Sequence, residues 1–221
     1  MEWVSAIIVA AGEGKRFGST KQYSLLKGKP VLEWTLERFE EHDKVDEIIL
    51  VLKDEKHKER ILSKFRKIAS VVRGGKKRQD SVFKGFSQID PEKAGVVLIH
   101  DGVRPLVEND FISRVIEVAM EKGAAIPAIP VEDTVKEVSG HEVLRTLERE
   151  KLYRIQTPQG FLYPILNEAL EKAREENYYG TDEASLVERT GKRVFIAQGD
   201  PRNIKITTPE DLKIVEALLE S

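Results

Sequence analysis

Short apolar runs alternate along the chain with segments whose apolar residues recur at helical spacing. Residues 4–10 are almost wholly apolar, which is typical of a strand covered on both faces of a sheet. Leu32, Leu36 and Phe39 then follow a helical period, and residues 48–52 form a second buried strand. The pattern predicts an α/β fold with a mainly parallel twisted sheet and helices on both faces.

One segment interrupts this alternation. Residues 131–155 contain alternating and turn-like stretches, including Ser139-Gly140, but no long helical face. We expect them to form a β-arm that projects from a single domain spanning residues 1–221. A projecting arm cannot bury its own surface and needs a partner surface, so the segment predicts a homodimer.

The composition excludes several classes of protein. The chain has 221 residues and no cysteine, which rules out disulfides, thiolate zinc sites and cysteine nucleophiles. Thirty-six Lys and Arg residues stand against 38 Asp and Glu residues, so no overall basic field favours nucleic acid as a partner. No apolar run approaches the roughly 18 residues of a membrane span, and residues 1–10 lack the order of a signal peptide. We therefore expect a cytoplasmic protein with no membrane partner.

A glycine loop follows the first predicted strand. Its residues include Ala10, Ala11, Gly12, Gly14, Lys15 and Arg16, with Lys21 shortly after. A glycine loop at the carboxyl end of a first strand is where α/β folds bind ligands, and its N–H groups can surround phosphates. Phe17 stands where a dinucleotide fingerprint needs its third glycine, and no P-loop pattern passes through the segment. The cations suit a triphosphate that loses pyrophosphate; the alternative is a surface loop with solvated charges.

Asp101 is the candidate metal ligand. It follows the buried strand predicted at residues 96–99, which puts its carboxylate at the same sheet edge as the glycine loop. A carboxylate there can hold Mg²⁺ shared with nucleotide phosphates, whereas the alternative is a turn or helix-capping aspartate. His100 has no metal-ligand spacing, and we expect it to be structural.

The glycine loop and a series of later motifs carry a family resemblance. Ala10-Ala11-Gly12-x-Gly14-x-Arg16 and Lys21-Gln22-Tyr23 are followed by Gly74-Gly75-x-x-Arg78-x-x-Ser81-Val82, His100-Asp101-x-x-Arg104-Pro105, Asp133-Thr134, Gln156-Thr157-Pro158-Gln159, Thr181-Asp182-Glu183-Ala184 and Asn203-Ile204-Lys205-Ile206-Thr207. This ordered set resembles the cytidylyltransferases of the methylerythritol phosphate route to isoprenoids, over essentially the whole chain. The resemblance implies a Rossmann-like nucleotidyltransferase fold that converts 2-C-methyl-D-erythritol 4-phosphate and CTP into a CDP-alcohol and pyrophosphate.

The resemblance also implies roles for individual residues. Those implied to be catalytic are Arg16, Lys21 and Lys205, the last beside the acceptor. Those implied to bind the nucleotide are Ala10, Ala11, Gly12, Gly14, Gly75, Ser81 and Asp101, with Asp101 also holding Mg²⁺ or another divalent cation. Those implied to bind the acceptor are Arg104, Thr134, Arg149, Thr157 and Thr181. Arg149 lies in the predicted arm and would reach the other subunit's site. Helix capping by Ser81 and local hydrogen bonding by the threonines remain the alternatives.

Departures from the family pattern leave other functions open. Thr20 stands where proline is usual, and Gly102-Val103 replaces the commoner alanine pair. A valine at this position also occurs in the similar ribitol 5-phosphate cytidylyltransferases, which makes another polyol phosphate the first alternative acceptor. Asp200 is the nearest candidate for a second metal carboxylate. A non-catalytic nucleotide-binding protein is the remaining alternative, although the predicted cations and Asp101 are all present.

Overall fold

A central sheet organises the chain, which is described at residues 2–14, 17–18 and 20–220 of a computed structural model. The strands are β1 (Trp3–Ala10), β2 (Leu25–Leu26), β3 (Lys29–Pro30), β4 (Glu47–Leu52), β5 (Ile68–Arg73), β6 (Ala94–Asp101), β7 (Ala124–Pro130), β8 (Lys136–Ser139), β9 (Glu142–Thr146), β10 (Tyr153–Ile155), β11 (Gln159–Leu162) and β12 (Phe195–Gln198). The helices are α1 (Val31–Glu40), α2 (Lys58–Leu62), α3 (Arg78–Phe86), α4 (Asn109–Lys122), α5 (Tyr163–Glu175), α6 (Glu183–Arg189) and α7 (Pro209–Leu218), with short 3-10 helices at Lys21–Tyr23 and Arg149–Lys151. In the described ranges, no helix is long and apolar enough to cross a membrane.

The strand order is β10-β7-β11-β6-β1-β4-β5, and β12 pairs with β7. Strands β6, β1, β4 and β5 run parallel, as do β7 and β12, while β11 and β10 are antiparallel to their neighbours. Ala10 is in register with Leu52, and Val9 is in register with Asp101. The glycine loop and Asp101 therefore lie at one edge of the sheet, as the sequence predicts.

Helices cover both faces of this sheet, which confirms the predicted α/β architecture. Ile8 packs with Leu36 of α1 and Phe111 of α4 in a core on one face, and Ile7 packs on the other face with residues of α3, α5 and α6. Gly85 brings α3 close to the sheet, because a Cβ there would lie 2.7 Å from Ile7 Cγ2. The first residue of α3 is thereby held at the edge where the site lies.

The projecting hairpin is shorter than the segment predicted for the arm. Strands β8 and β9 pair with each other over residues 136–146, and all their residues are exposed. Residues 153–155 instead form β10 and pair with residues 128–130 of β7. The predicted arm at 131–155 is therefore corrected at its end, because the edge of β7 offers hydrogen-bonding partners that draw the chain back into the central sheet.

Candidate active site

A cavity of about 910 Å³ opens at the carboxyl edge of β1, β4 and β6. Its lining includes the glycine-loop residues Ala10, Ala11, Gly12 and Gly14, together with Lys21, Gly75, Ser81, Asp101 and Lys205. Further cations line it at Lys53, Arg73, Lys76, Lys77, Arg78 and Lys84. The fold thus brings nine of the predicted site residues to one cavity whose charge suits a polyphosphate.

The glycine loop forms part of the cavity wall, and the side chain of Gln22 binds its backbone. This side chain is 1% exposed, and its Nε2 donates to the carbonyl oxygens of Ala10 at 2.9 Å and Gly12 at 3.3 Å. Gly14 has a φ of 66°, a left-handed conformation that favours glycine. Gln22 therefore holds the backbone of the loop at Ala10 and Gly12. Arg16 lies outside the described residues, so its catalytic role stays a prediction.

Asp101 lies at the centre of a cluster of cations. Its Oδ2 is 2.8 Å from Lys205 Nζ and 3.6 Å from Arg104 Nε, and its Oδ1 is 3.3 Å from Arg78 Nε. Burial by itself would raise the pKa of Asp101, but Lys205, Arg78 and Arg104 lower that pKa well below its usual range. The carboxylate is therefore charged and acts as the common counter-ion of all three side chains.

The residues around Asp101 fit a metal site in which the protein supplies a single carboxylate. Over the described part of the chain, no three His, Cys, Asp or Glu residues lie close enough to form a protein-only site. Asp200 does not line the cavity; its Oδ1 accepts from the Arg202 N–H at 2.7 Å. A single carboxylate facing phosphates is a common way to hold Mg²⁺, which keeps waters and phosphate oxygens as its other ligands. The residues fit such a shared ion, although Lys205 pairs with one oxygen that would bind it.

The side chain of Thr157 contacts the backbone of Asp101. The Asp101 N–H donates to Thr157 Oγ1 at 3.1 Å, and the Thr157 hydroxyl lies 3.2 Å from His100 Nδ1. His100 Nε2 faces the Arg104 carbonyl at 3.3 Å, which assigns the ring proton to Nε2 and makes Nδ1 the acceptor. Burial lowers the pKa of His100 to about 3, so this ring is neutral. His100 is structural here, and the Thr157 hydroxyl is used within the protein; acceptor binding by Thr157 stays a prediction.

Ser81 holds the second loop that lines the cavity. Its Oγ accepts from the Gly75 N–H at 3.0 Å and donates to the Lys77 carbonyl at 3.1 Å. A Cβ on Gly75 would lie 2.2 Å from Asp80 Cβ, so glycine is needed there for packing within the chain. Ser81 therefore positions the loop beside the cavity, and its predicted contact with the nucleotide remains untested.

The residues predicted to bind the acceptor lie in different environments of the structure. Arg104 is buried next to Asp101, and its Nη1 donates to the Asn203 carbonyl at 2.7 Å. Of the described residues predicted to bind the acceptor, Thr134, Arg149 and Thr181 are exposed and lie outside the cavity lining. Arg149 Nη1 donates to the Glu132 carbonyl at 2.8 Å. One chain therefore does not bring the whole predicted acceptor set together.

Sequence reasoning assigned no role to two charged residues that adjoin Asp101. Arg78 contacts both Asp101 and Glu183, and Glu183 is 1% exposed. Both stand within the quoted motifs, at the first positions of α3 and α6. Their pairing spans 105 residues of sequence, and no local spacing signals it.

Comparisons with known proteins match nearly the whole chain. The family model for 2-C-methyl-D-erythritol 4-phosphate cytidylyltransferase matches residues 4–221. A protein of that name from Geobacillus kaustophilus is 45% identical over 222 residues, spanning 98% of this chain and 96% of the relative. Its counterpart from Geotalea uraniireducens is 46% identical over 226 residues, spanning 99% and 97%.

Solved structures of similar proteins match the fold. The crystal structure of 4-diphosphocytidyl-2C-methyl-D-erythritol synthase from Anaerococcus prevotii matches with a TM-score of 0.89 at 34% identity, over 100% of this chain and 99% of that one. The 2-C-methyl-D-erythritol 4-phosphate cytidylyltransferase from Thermus thermophilus gives 0.83 at 34% identity, over the full length of both chains. Since the family match, the relatives and the solved structures all extend over nearly the whole chain, this protein belongs to the 2-C-methyl-D-erythritol 4-phosphate cytidylyltransferase family.

Proposed function

We propose that this protein transfers the cytidylyl group of CTP to 2-C-methyl-D-erythritol 4-phosphate and releases pyrophosphate, as a step in isoprenoid precursor biosynthesis. Family membership supports the reaction. The observation that carries it for this chain is the meeting of the glycine loop, Lys21 and the Asp101–Lys205 pair at one cavity. Both substrates are polyanions, and a cavity lined by this many cations suits their combined charge.

In this reaction an oxygen of the acceptor phosphate attacks the α-phosphorus of CTP. The bond from that phosphorus to the bridging oxygen of the β-phosphate breaks, and the electron pair leaves with pyrophosphate. No covalent enzyme intermediate is needed, so catalysis consists of aligning two anions and neutralising the charge that builds on the oxygens. Backbone N–H groups of the glycine loop are suited to the triphosphate, and Lys21 and Arg16 are assigned to the developing charge.

Mg²⁺ belongs to the proposal as a cofactor. Asp101 would hold it together with the phosphates of CTP, and the bound ion would supply positive charge to the triphosphate. Lys205, whose Nζ lies 2.8 Å from Asp101 Oδ2, is suited to bind the acceptor phosphate. Arg104, which also adjoins Asp101, is then suited to the same phosphate.

Pyrophosphate release with CTP and Mg²⁺ tests the function. The assay offers 2-C-methyl-D-erythritol 4-phosphate and ribitol 5-phosphate in parallel, and we expect strong preference for the branched methyl acceptor. Val103 lines the cavity, and preference for ribitol 5-phosphate would make it a determinant of acceptor choice. Silence with both acceptors would favour a non-catalytic nucleotide-binding protein. Since CTP and sugar phosphates are cytoplasmic metabolites, a cytoplasmic location goes with the proposed reaction.

A homodimer formed through the hairpin β8–β9 is part of the same proposal. Val138 and Val143 are paired in register and are 57% and 56% exposed, and Leu144 on the opposite side is 55% exposed. Apolar side chains on an isolated two-stranded hairpin favour association with another surface. A second copy of the chain would cover them and would bring Arg149, which is exposed in its own chain, within reach of a partner's cavity.

Replacing both valines with glutamate is expected to convert the dimer into monomers, because two carboxylates would be buried without partners in the interface. Sedimentation equilibrium of the Val138→Glu/Val143→Glu protein measures this change. Glu142→Gln alters a polar residue of the same hairpin and serves as the control, with the wild-type mass expected. Dimers that persist in the double variant would remove the hairpin from the interface.

A mixture of two inactive proteins is expected to recover activity. Lys21→Ala would disable the site of its own chain, and Arg149→Ala would disable the partner's site. After subunit exchange at equal concentrations, half of the dimers are mixed and each of these has one intact site, giving about a quarter of the wild-type rate. The pyrophosphate assay measures recovery, and native mass spectrometry confirms exchange. Absence of recovery in confirmed mixed dimers would place Arg149 outside the partner's site.

A further inference from the structure

Arg78 joins two carboxylates that belong to different parts of the fold. It is the first residue of α3, and its Nη1 donates to both oxygens of Glu183, at 2.7 and 2.6 Å. Its Nε donates to Asp101 Oδ1 at 3.3 Å. One guanidinium therefore connects the last residue of β6 to the first residue of α6.

Glu183 is itself fixed from the centre of the sheet. Asp182 caps α6 by accepting from the Ser185 N–H at 3.0 Å. Gln159 on β11 donates to Asp182 Oδ2 at 2.7 Å and accepts from the Ala184 N–H at 3.3 Å. The start of α6 is thereby tied to a buried strand, so the Glu183 carboxylate is a rigid anchor for Arg78.

This anchor determines how Arg78 can contact Asp101. A guanidinium offers a planar fork of donors that closes readily on a single carboxylate in a bidentate pair. Here Nη1 is held on Glu183, and only Nε reaches Asp101 Oδ1. The second oxygen of Asp101 therefore stays turned toward Lys205 Nζ, at 2.8 Å, where the cavity lies.

We propose that Arg78 and Glu183 form a positioning pair that sets the orientation of the Asp101 carboxylate for the transfer reaction. Glu183 binds Arg78 Nη1, so that only Nε of the guanidinium is available to Asp101. Nε binds Asp101 Oδ1, and Oδ2 therefore remains directed at Lys205 and the substrates. The inference rests on the proposed function. Neither residue needs to touch the reacting atoms, and the pair acts through Asp101.

The competing explanation is purely structural: the pair ties α3, α6 and β6 together and has no further effect. Disturbing a buried ion pair lowers stability in either case, because the charge that remains is left with a poorer partner. A structural role predicts a lower unfolding temperature with unchanged kcat per folded enzyme. A positioning role predicts a loss of kcat at temperatures where each variant is fully folded.

Arg78→Lys and Glu183→Gln test the proposal by different routes. Lysine keeps the positive charge but cannot span both carboxylates. Glutamine keeps the volume at position 183 but releases Arg78 to close on Asp101. We expect kcat to fall about 10- to 100-fold in each variant, as is typical when a residue that orients a ligand is lost. The dissociation constant for CTP, measured by calorimetry, is expected to change less than about threefold.

Matched controls come from an ion pair at the other end of α6. Arg189 Nε contacts Glu176 Oε2 at 2.6 Å, and neither residue lines the cavity. Arg189→Lys and Glu176→Gln are expected to retain the wild-type kcat. If kcat in the Arg78 and Glu183 variants also stays at the wild-type value, the positioning role is overturned. A large rise in the CTP dissociation constant of Arg78→Lys would overturn it as well, because Arg78 would then bind the nucleotide directly.

Crystal structures of the two variants decide the inference independently of activity. We expect Asp101 to rotate and its Oδ2–Lys205 Nζ distance to lengthen beyond the present 2.8 Å. An unmoved Asp101 in both variants would overturn the proposal. Absence of pyrophosphate release by the wild-type protein would instead overturn the proposed function, and the position of Asp101 would still decide whether the pair orients it.

Discussion

Lys21→Ala is expected to lower kcat by about 10²- to 10³-fold while CTP binds almost as tightly as to the wild-type protein. Lys21 is assigned to charge that develops during transfer, and an interaction made mainly in the transition state affects turnover more than substrate affinity. The glycine loop and the other cations of the cavity remain in the variant to bind the triphosphate. Steady-state pyrophosphate release gives kcat, and calorimetry gives the CTP dissociation constant.

Lys44→Ala is the matched control for this change. Lys44 is an exposed cation that pairs with Glu117 at 2.6 Å, away from the cavity. Lys44→Ala should leave both kcat and CTP affinity at their wild-type values, because surface ion pairs contribute little to stability. Equal losses of kcat and CTP affinity in Lys21→Ala would reassign Lys21 to ground-state binding of the nucleotide.

The sheet edge that carries the site could be predicted from local patterns. The apolar run of β1 ends at the glycine loop, and the apolar run of β6 ends at Asp101. Parallel strands bring their carboxyl ends to the same edge, so two short patterns were enough to bring the loop and the carboxylate together. The structure confirms this with Val9 in register with Asp101.

Contacts between distant side chains could not be predicted in this way. Ser81 and Thr157 were assigned to substrates, but their hydroxyls are engaged by groups of the protein itself. Arg78 and Glu183 meet only because α3 and α6 both begin beside the end of β6. A hydroxyl or a charge in a motif looks the same in sequence whether it faces a ligand or another residue.

The arm posed a different difficulty. The segment lacks a helical period, which predicted a projection, but its boundary depends on pairing with the edge of β7. The role predicted for Arg149 depends further on the proposed association of two chains. Interfaces between chains leave little trace in the period of one sequence, apart from exposed apolar residues such as Val138.

Asp101 has two separable functions in the proposed reaction, as counter-ion of a cation cluster and as metal ligand. As counter-ion it lies between Arg78, Arg104 and Lys205 and reduces the repulsion among these three cations. As metal ligand it would offer Oδ2, the oxygen that Lys205 now contacts. Removing the charge of Asp101 and removing Lys205 should therefore shift metal affinity in opposite directions.

Asp101→Asn is expected to lower kcat by at least about 10²-fold and to raise the Mg²⁺ concentration needed for half-maximal activity, because an amide is a poorer ligand than a carboxylate. It should also destabilise the fold by about 3 kcal/mol, since three cations lose their shared counter-ion. Lys205→Met is the paired variant: it leaves the carboxylate without its nearest competitor and should lower the half-saturating Mg²⁺ concentration. Metal titrations of activity, together with Mn²⁺ binding followed by electron paramagnetic resonance, measure both shifts. If both variants lose kcat while their metal affinities match the wild-type protein, Asp101 organises cations only, and the metal must be held by the phosphates of the nucleotide.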